Sequence, residues 1–289
     1  MYSSERMSVL VPTSLDAALE ALAANPAATV LAGGTDLMVE VNERRREVAD
    51  VIAVNRVAEL RAWSHDPASA TLRIGAAVTW SELEASPFLE WVPSLAQAAR
   101  TVGSPQIRHA GTIGGNLGTC SPAGDGLPPL SALEAVVHLT GPGGERSLPF
   151  AEFMTGPKRN ARAAGELITA VTVPVLRGPQ GYAKVGVRNA MVIATAGVAL
   201  VCDADAGGVR LALGSVGPVI LRCPEAEAIV AAEADFAAGR LAEPALRAAA
   251  EAARAAARPI DDHRSTAAYR RHAVGVLTAR LLRRAFPHD

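Results

Sequence analysis

Two glycine-rich segments carry most of the groups that would bind a ligand. The first, AGGTD at residues 32–36, places a hydroxyl and a carboxylate directly after Gly33 and Gly34. The second, residues 103–129, repeats glycine among hydroxyl and amide side chains. Glycine lets backbone N–H groups approach a ligand without a Cβ in the way, and a group of such dipoles binds anionic oxygens. The first glycine segment alone is more typical of a plain turn, but the pair indicates one phosphate-bearing ligand held from two sides.

The side chains of the second glycine segment suit a nucleotide. Thr112, Thr119 and Ser121 offer hydroxyl donors, and Asn116 offers an amide. Asp125 follows as a carboxylate, which suits ribose hydroxyls because a negative charge would repel a phosphate. Neither segment matches the GxxxxGKS/T pattern of ATP-binding loops or the GxGxxG dinucleotide fingerprint. The sequence therefore predicts a nucleotide that is held in another way.

The composition restricts the class of protein. Of 289 residues, 49% are hydrophobic and 20% are charged, with a formal net charge of -1. The chain is therefore globular, and neither nucleic acid nor a charged membrane surface is an expected partner. The cysteines Cys120, Cys202 and Cys223 include no CxxC pair and cannot alone ligate an iron–sulfur cluster or a structural zinc. Their odd number indicates no disulfide framework, so we expect a reducing, cytoplasmic location.

The elements that must position the first glycine segment alternate between helix and strand. Thr13 lies three residues before Asp16 in a capping pattern, and apolar residues then recur at helical spacing. Apolar runs at residues 28–32 and 48–55 are typical of buried strands. We therefore expect a small alternating α/β unit over about the first 55 residues.

The elements before the second glycine segment are a strand and two helices. Residues 71–78 predict the strand, and Thr79 with Glu82 forms a capping box. Pro93 is placed as in the first turn of a helix. The second glycine segment itself is interpreted as a long loop, because glycine and proline recur along it.

The pattern of predicted secondary structure changes after a junction at residues 174–179. Strands joined by DADAGG at residues 203–208 predict an antiparallel hairpin. The longest apolar stretch, residues 190–202, is shorter than the roughly 20 residues that span a bilayer, so we expect a buried strand and no transmembrane segment. Alanine-rich helices at residues 241–257 and 266–285 are expected to cover the sheet.

These motifs resemble a known family. LAGGTDLM, together with IRHAGTIGGNLGTCSPAGDGLPPLSALEA, resembles the FAD-binding medium subunit of the molybdenum hydroxylases, the family of carbon monoxide dehydrogenase and xanthine dehydrogenase. The resemblance continues through GELITAVTVP, YAKVGVR and PIDDHRSTAAYRRHAVGVLTARLL, and so covers essentially the whole chain. It implies an α+β fold: a FAD-binding domain at residues 1–176 with the two subdomains (about 1–57 and 58–176) of the vanillyl-alcohol oxidase type, then a C-terminal α+β domain at residues 177–289.

The resemblance also implies the positions of the cofactor contacts. FAD would lie extended and non-covalently bound between the subdomains, with the backbone of residues 32–36 on one side of the pyrophosphate. Asp125 would hold the adenosine ribose, Ile168 would pack near the isoalloxazine ring, and Lys184 would approach the carbonyl edge of the flavin, where reduction creates negative charge. The implied set is Leu31, Ala32, Gly33, Gly34, Thr35, Asp36, Leu37, Val102, Ile107, Ala110, Gly111, Thr112, Gly114, Gly115, Asn116, Thr119, Gly124, Asp125, Leu167, Ile168 and Lys184.

Some residues depart from the family pattern, and the role of others stays open. Cys120 stands where the family often has a small residue, and we interpret it as a small buried hydrophobe. Val102 replaces an aromatic residue that some relatives place near the ring. His109 is interpreted as an ordinary polar residue and not as a covalent attachment point for FAD. Tyr182 either stacks on the ring or fills a strand.

The function implied by the resemblance is electron transfer, with no catalytic residue on this chain. A large subunit would carry the molybdenum cofactor, and a small subunit with two [2Fe-2S] clusters would pass electrons to this FAD and on to NAD, a quinone or oxygen. The assembly would be a dimer of heterotrimers. Two alternatives stay open: a stand-alone flavin oxidase that uses Tyr182 or His109, and a nucleotide-binding protein without redox chemistry.

Overall fold

Three sheets of three or more strands follow one another in the computed structural model, which describes residues 8–287. The N-terminal part contains β1 (Ser8–Leu10), α1 (Leu15–Ala24), β2 (Thr29–Leu31), α2 (Leu37–Asn42), β3 (Asp50–Ala53) and α3 (Ala58–Arg61). β1 and β2 each pair in parallel with β3, which is the central strand. The predicted alternating α/β unit is confirmed. The first glycine segment leaves the carboxyl end of β2 and leads into α2.

The cap of α1 lies one residue later than predicted. The Ser14 hydroxyl accepts a hydrogen bond from the Ala17 N–H at 3.3 Å, so Ser14 is the N-cap. Thr13 instead offers its carbonyl to the N–H of Ala58. The prediction of Thr13 as the cap was wrong because two adjacent hydroxyl residues fit the pattern, and a tertiary contact at α3 decides between them.

The second sheet has five strands and is antiparallel throughout, in the order β4-β5-β10-β6-β7. The elements of this part are β4 (Trp63–Asp66), β5 (Thr71–Gly75), α4 (Trp80–Leu83), α5 (Phe88–Trp91), α6 (Pro93–Thr101), α7 (Pro105–Ala110), α8 (Ile113–Thr119), α9 (Leu127–Ala132), β6 (Val136–Gly141), β7 (Gly144–Pro149), α10 (Phe150–Phe153), β8 (Met154–Gly156), β9 (Arg159–Asn160) and β10 (Leu167–Pro174). The predicted capping box of Thr79 and Glu82 and the position of Pro93 in the first turn of α6 are both confirmed.

The interpretation of residues 103–129 as a loop is wrong, because α7 and α8 lie within them and α9 begins there. Ser104 caps α7, with Pro105 in its first turn. Thr112 caps α8 through a hydrogen bond from the Gly115 N–H, and Cys120 ends it in the left-handed conformation. Caps and first-turn prolines are helix-start signals, and here they prevail over the low helix propensity of glycine.

The C-terminal part is an antiparallel sheet covered by helices, as predicted. Its elements are β11 (Gln180–Val185), β12 (Ala196–Asp203), β13 (Gly208–Gly214), β14 (Leu221–Arg222), α11 (Pro224–Glu233), β15 (Ala234–Asp235), β16 (Arg240–Leu241), α12 (Glu243–Ala256) and α13 (Ala267–Ala285). β12 pairs with β11 and β13, and the predicted hairpin joins β12 to β13. Apolar residues of α11, α12 and α13 share one buried core with this sheet. Within residues 8–287, no helix combines the length and the apolarity needed to cross a membrane.

Candidate cofactor-binding site

The two glycine segments lie against each other. A Cβ on Gly33 would lie 1.8 Å from the carbonyl oxygen of Ala110, so only glycine allows this approach. At the end of α8, the Thr119 hydroxyl donates to Asp36 Oδ2 at 2.8 Å. The structure therefore brings together the two segments that the sequence analysis paired.

The first glycine segment presents consecutive backbone donors that have no acceptor. Among residues 8–287, the N–H groups of Gly33, Gly34, Thr35 and Asp36 form no hydrogen bond. Gly34 has a φ of +70°, which turns the chain in a conformation that favours glycine. Successive N–H groups in such a turn form an anion-binding concavity. This is the arrangement that a diphosphate needs.

The second glycine segment uses its N–H groups within the fold. The Gly114 N–H donates to the Ala76 carbonyl at 2.8 Å, and the Asn116 N–H donates to the Thr112 carbonyl at 3.0 Å. The Gly115 N–H donates to Thr112 Oγ1, also at 3.0 Å. A Cβ on Gly114 would lie 2.5 Å from Ala76 Cβ. The absence of a side chain at Gly114 therefore serves close packing of α8 against the end of β5.

One face of α8 is nearly bare of side chains. A Cβ on Gly115 would lie 4.0 Å from Ala32 Cβ, and one on Gly118 would lie 3.9 Å from Ile168 Cδ1. Next to this face, Asn116 Oδ1 is buried and has no hydrogen-bond partner among the described residues. A buried polar atom without a partner is costly, and this one lies against Gly126, where a Cβ would be 3.0 Å from it.

Asp125 and Lys184 form a buried ion pair between the second glycine segment and the C-terminal sheet. Lys184 Nζ lies 2.6 Å from Asp125 Oδ2, and both side chains are 9% exposed. The Tyr182 hydroxyl donates to Asp125 Oδ1 at 2.9 Å. Lys184 Nζ also donates to the carbonyls of Thr101, at 2.8 Å, and Val192, at 3.1 Å. Each of the three ammonium protons therefore has an acceptor within the chain.

This ion pair joins two of the predicted cofactor contacts, Asp125 and Lys184. Burial raises the pKa of Asp125, and the charge of Lys184 only partly offsets this. Burial also raises the pKa of Tyr182 well above its ordinary value, so Tyr182 stays a neutral donor. Asp125 at the adenosine ribose and Lys184 at the carbonyl edge of the flavin both stay predictions.

The other predicted contacts are spread over several elements. The positions are Leu31 on β2, Leu37 on α2, Val102 after α6, Ile107 and Ala110 on α7, Gly111 before α8, Gly124 before α9, and Leu167 on β10. Cys120 is fully buried, as expected, and burial raises the pKa of its thiol to about 11.

A cavity of about 320 Å³ is lined by the predicted contacts Ala32, Gly33, Ala110 and Thr112. Asn55, Arg61 and His109 also line it, and sequence reasoning missed Asn55 and Arg61. One signal would have found Asn55: it follows β3 as the first glycine segment follows β2, and the carboxyl ends of neighbouring parallel strands meet at one edge of a sheet. Arg61 stands in ordinary polar sequence, and no local pattern marks it.

The residues where the first glycine segment meets α8 fit an extended dinucleotide such as FAD. The first glycine segment offers unpartnered donors for a diphosphate, and α8 offers a bare face with an unsatisfied amide beside it. Ile168 supplies apolar surface near the far end of α8.

Comparison with known proteins agrees with this geometry. Residues 5–176 match the family model of the FAD-binding domain in molybdopterin dehydrogenase, and residues 181–285 match that of the carbon monoxide dehydrogenase flavoprotein C-terminal domain. The nicotinate dehydrogenase FAD-subunit of Eubacterium barkeri is 36% identical over 201 residues, which are 68% of this chain and 67% of the relative. The carbon monoxide dehydrogenase medium chain of Hydrogenophaga pseudoflava is 32% identical over 265 residues, or 90% and 89% of the two chains.

A solved structure gives the same result for the fold. The structure of carbon monoxide dehydrogenase from Hydrogenophaga pseudoflava superposes with a TM-score of 0.88 at 32% identity, over 97% of each chain. The predicted α+β fold is confirmed. Because the family model of the FAD-binding domain covers more than half of the sequence and the relatives are FAD subunits and medium chains, the chain belongs to the FAD-binding medium subunits of the molybdenum hydroxylase family.

Proposed function

We propose that this chain holds FAD non-covalently and passes electrons from iron–sulfur clusters of a partner subunit to an external acceptor. The observation that carries the proposal is the run of unpartnered N–H groups at Gly33–Asp36, a segment that packs at Gly33 against Ala110, at the end of α7. When bound, FAD supplies the redox chemistry, because a flavin exchanges electrons singly or in pairs.

The chain's own residues would bind and orient the cofactor. The N–H groups of Gly33–Asp36 would donate to the diphosphate, with Thr112 and Asn116 on the opposite side. The bare face of α8 and the side chain of Ile168 would take apolar surface of the ligand. Lys184 and Tyr182 would fix Asp125 and, with it, the position of Gly124. The remaining residues of the predicted set would complete the walls of the FAD-binding site.

The proposed partners are a large molybdenum-cofactor subunit and a small iron–sulfur subunit, arranged as a dimer of heterotrimers in the cytoplasm. Relatives named as medium chains support this, since a medium chain implies a larger and a smaller one. The cysteines Cys120, Cys202 and Cys223 are free and buried, which fits clusters carried by another chain. We also propose that the FAD-binding and C-terminal domains meet at residues 176–177.

The geometry does not favour a stand-alone oxidase. The Tyr182 hydroxyl is buried and donates to Asp125. The ring nitrogens of His109 lie 2.7 Å from the Pro105 carbonyl and 3.2 Å from the Ser81 hydroxyl. Both groups considered for substrate chemistry are therefore engaged within the chain.

Reconstitution of the purified chain with FAD tests the proposal. We expect flavin absorption bands after gel filtration, and release of all the flavin when the protein is denatured. Co-purification from the native source should recover a large and a small subunit. A chain that shows no flavin bands after incubation with FAD, or that keeps flavin after denaturation, would contradict the proposal.

A further inference from the structure

The helix α2 continues directly from the first glycine segment, but burial does not hold it in place. None of its six residues is buried, and Met38 and Val39 are exposed. Its N-cap, Asp36, forms no side-chain cap hydrogen bond. Because a helix of this length is not stable by itself in water, its position depends on contacts with other parts of the chain.

Two polar contacts join α2 to the part of the chain that contains the second sheet. At the start of α2, Asp36 accepts the hydrogen bond of Thr119. About one helical turn further along, Glu40 Oε1 accepts a hydrogen bond from Lys158 Nζ at 2.7 Å. Arg46 also approaches Glu40, at 3.9 Å, but it belongs to the N-terminal part itself. Lys158 is therefore the cation that ties Glu40 to the second sheet's part of the chain.

Lys158 lies at the tip of the hairpin of β8 and β9, and this hairpin is fixed to the end of α8. The Asn160 side chain donates a hydrogen bond to the Gly118 carbonyl at 3.0 Å. The Lys158 N–H donates to the Cys120 carbonyl, also at 3.0 Å. The hairpin tip thus has a fixed place beside α8, and the Lys158 side chain reaches α2 from there.

The backbone conformation at the hairpin tip indicates that the side chain of Lys158 has a use. Lys158 has a φ of +55°, a left-handed conformation that glycine, asparagine and aspartate adopt more readily than lysine. A residue that served the turn alone would be expected to be one of these. The ion pair with Glu40 accounts for a lysine at this position.

We propose that Lys158 is a positioning residue for the cofactor: through Glu40 it holds α2, and with it the N–H groups of Gly33–Asp36, in the arrangement that binds the diphosphate. The inference rests on the proposed function. Without the ion pair, α2 would be held at its start alone, the first glycine segment would fluctuate more, and FAD would leave faster. An exposed ion pair contributes little to stability, so the main effect falls on binding and not on folding.

The rate of FAD release from the loaded full chain tests this role. The variants are Lys158→Gly, Glu40→Ala and the two combined. Each single variant should release FAD about two- to fivefold faster, the factor that corresponds to an exposed ion pair. The double variant should release it no faster than either single variant, because the same contact is lost in all three. Urea unfolding of apo Lys158→Gly should stay close to that of the wild type, since glycine adopts the left-handed conformation without a steric cost.

Salt and charge reversal separate this role from a merely structural one. Salt screens exposed ion pairs, so added salt should accelerate FAD release more in the wild type than in Lys158→Gly. Lys158→Arg keeps the charge and should release FAD at nearly the wild-type rate. Lys158→Glu combined with Glu40→Lys restores opposite charges and should release FAD more slowly than Lys158→Glu alone.

Arg247→Met is the matched control, because Arg247 forms a comparable ion pair with Glu243 inside α12, in the C-terminal part. It should leave the rate of FAD release unchanged. Wild-type release in Lys158→Gly or Glu40→Ala, effects of the two that add, or a fast release that neither Lys158→Arg nor the reversed pair slows would overturn the inference and leave the proposed function intact. A wild-type chain that binds no FAD would overturn both.

Discussion

Glycine plays a different structural role in each of the two glycine segments. In the first, the N–H groups of Gly33–Asp36 have no acceptor among the described residues. In the second, the N–H groups of Gly114, Gly115 and Asn116 all have acceptors within the chain. Gly34 supplies a turn at φ +70°, whereas a Cβ on Gly114 would meet Ala76 at 2.5 Å.

The difference shows that glycine in a ligand-binding region has at least two roles. In the first segment it exposes backbone dipoles to a ligand. In the second it lets a helix pack closely against a strand end and leaves one helix face bare of side chains. Each role has its own mutational signature, because loss of the first affects binding and loss of the second affects folding.

We expect the largest loss of stability when the ion pair between the second glycine segment and the C-terminal sheet is broken. Lys184→Met leaves Asp125 buried without its counter-charge, and breaking such a pair costs about 3–5 kcal/mol. The pKa of Asp125 is raised in the folded chain by burial, and it rises further without Lys184. Such a carboxyl stabilises the fold below its unfolded pKa and loses that stability as pH rises through its folded pKa. Urea unfolding should therefore show a greater loss at pH 8 than at pH 5.

Lys158→Met is the control for that experiment, since the Lys158 side chain is 59% exposed in its pair with Glu40. It should cost at most about 1 kcal/mol. Equal losses for the two lysine variants, or a loss at Lys184 that does not depend on pH, would contradict the buried pair.

Gly114→Val should destabilise the apo chain by about 1–3 kcal/mol or more, because the side chain would overlap Ala76. Chemical unfolding without FAD measures this directly. Unchanged apo stability together with loss of FAD would instead mean that Gly114 faces the diphosphate, and the contrast between the segments would fail.

Local signals made much of the fold predictable. The capping box at Thr79, the first-turn proline at Pro93 and the hairpin at residues 203–208 depend on neighbours in the sequence, and all are present. The glycine content of residues 103–129 wrongly favours a loop, whereas the caps at Ser104 and Thr112 mark the starts of α7 and α8.

Tertiary pairing limited what could be predicted of the site. The pair of Asp125 and Lys184 joins residues 59 positions apart, and no pattern in one sequence specifies it. Likewise, whether an N–H group is free depends on acceptors such as the Ala76 carbonyl, which lies far along the chain from Gly114.

A smaller, stabilising effect is expected at Gly118. The residue lies within α8, and a Cβ there would meet Ile168 only at 3.9 Å, an ordinary contact distance. Gly118→Ala should therefore raise the stability of the apo chain by about 0.5–1 kcal/mol, because alanine loses less backbone entropy in a helix. Thermal unfolding of the apo chain reports this. A destabilised variant would argue that residues 113–119 are not a regular helix.

The smallest effect is expected for chemical modification of Cys120, the residue that ends α8. Burial raises the pKa of its thiol to about 11, so almost no thiolate forms at pH 8. A thiol reagent at pH 8 should leave Cys120 unmodified in the native chain and modify it after denaturation, as mass spectrometry of the peptides would show. Rapid native modification would indicate an open loop instead of a packed helix end.

Hydrogen exchange with and without FAD tests the central contrast most directly. We predict that the amides of Gly33–Asp36 exchange rapidly in the apo chain and become protected when FAD binds, because the diphosphate supplies their acceptors. The amides of residues 113–116 should already be protected without FAD. Stoichiometric FAD binding that leaves Gly33–Asp36 unprotected would contradict the account.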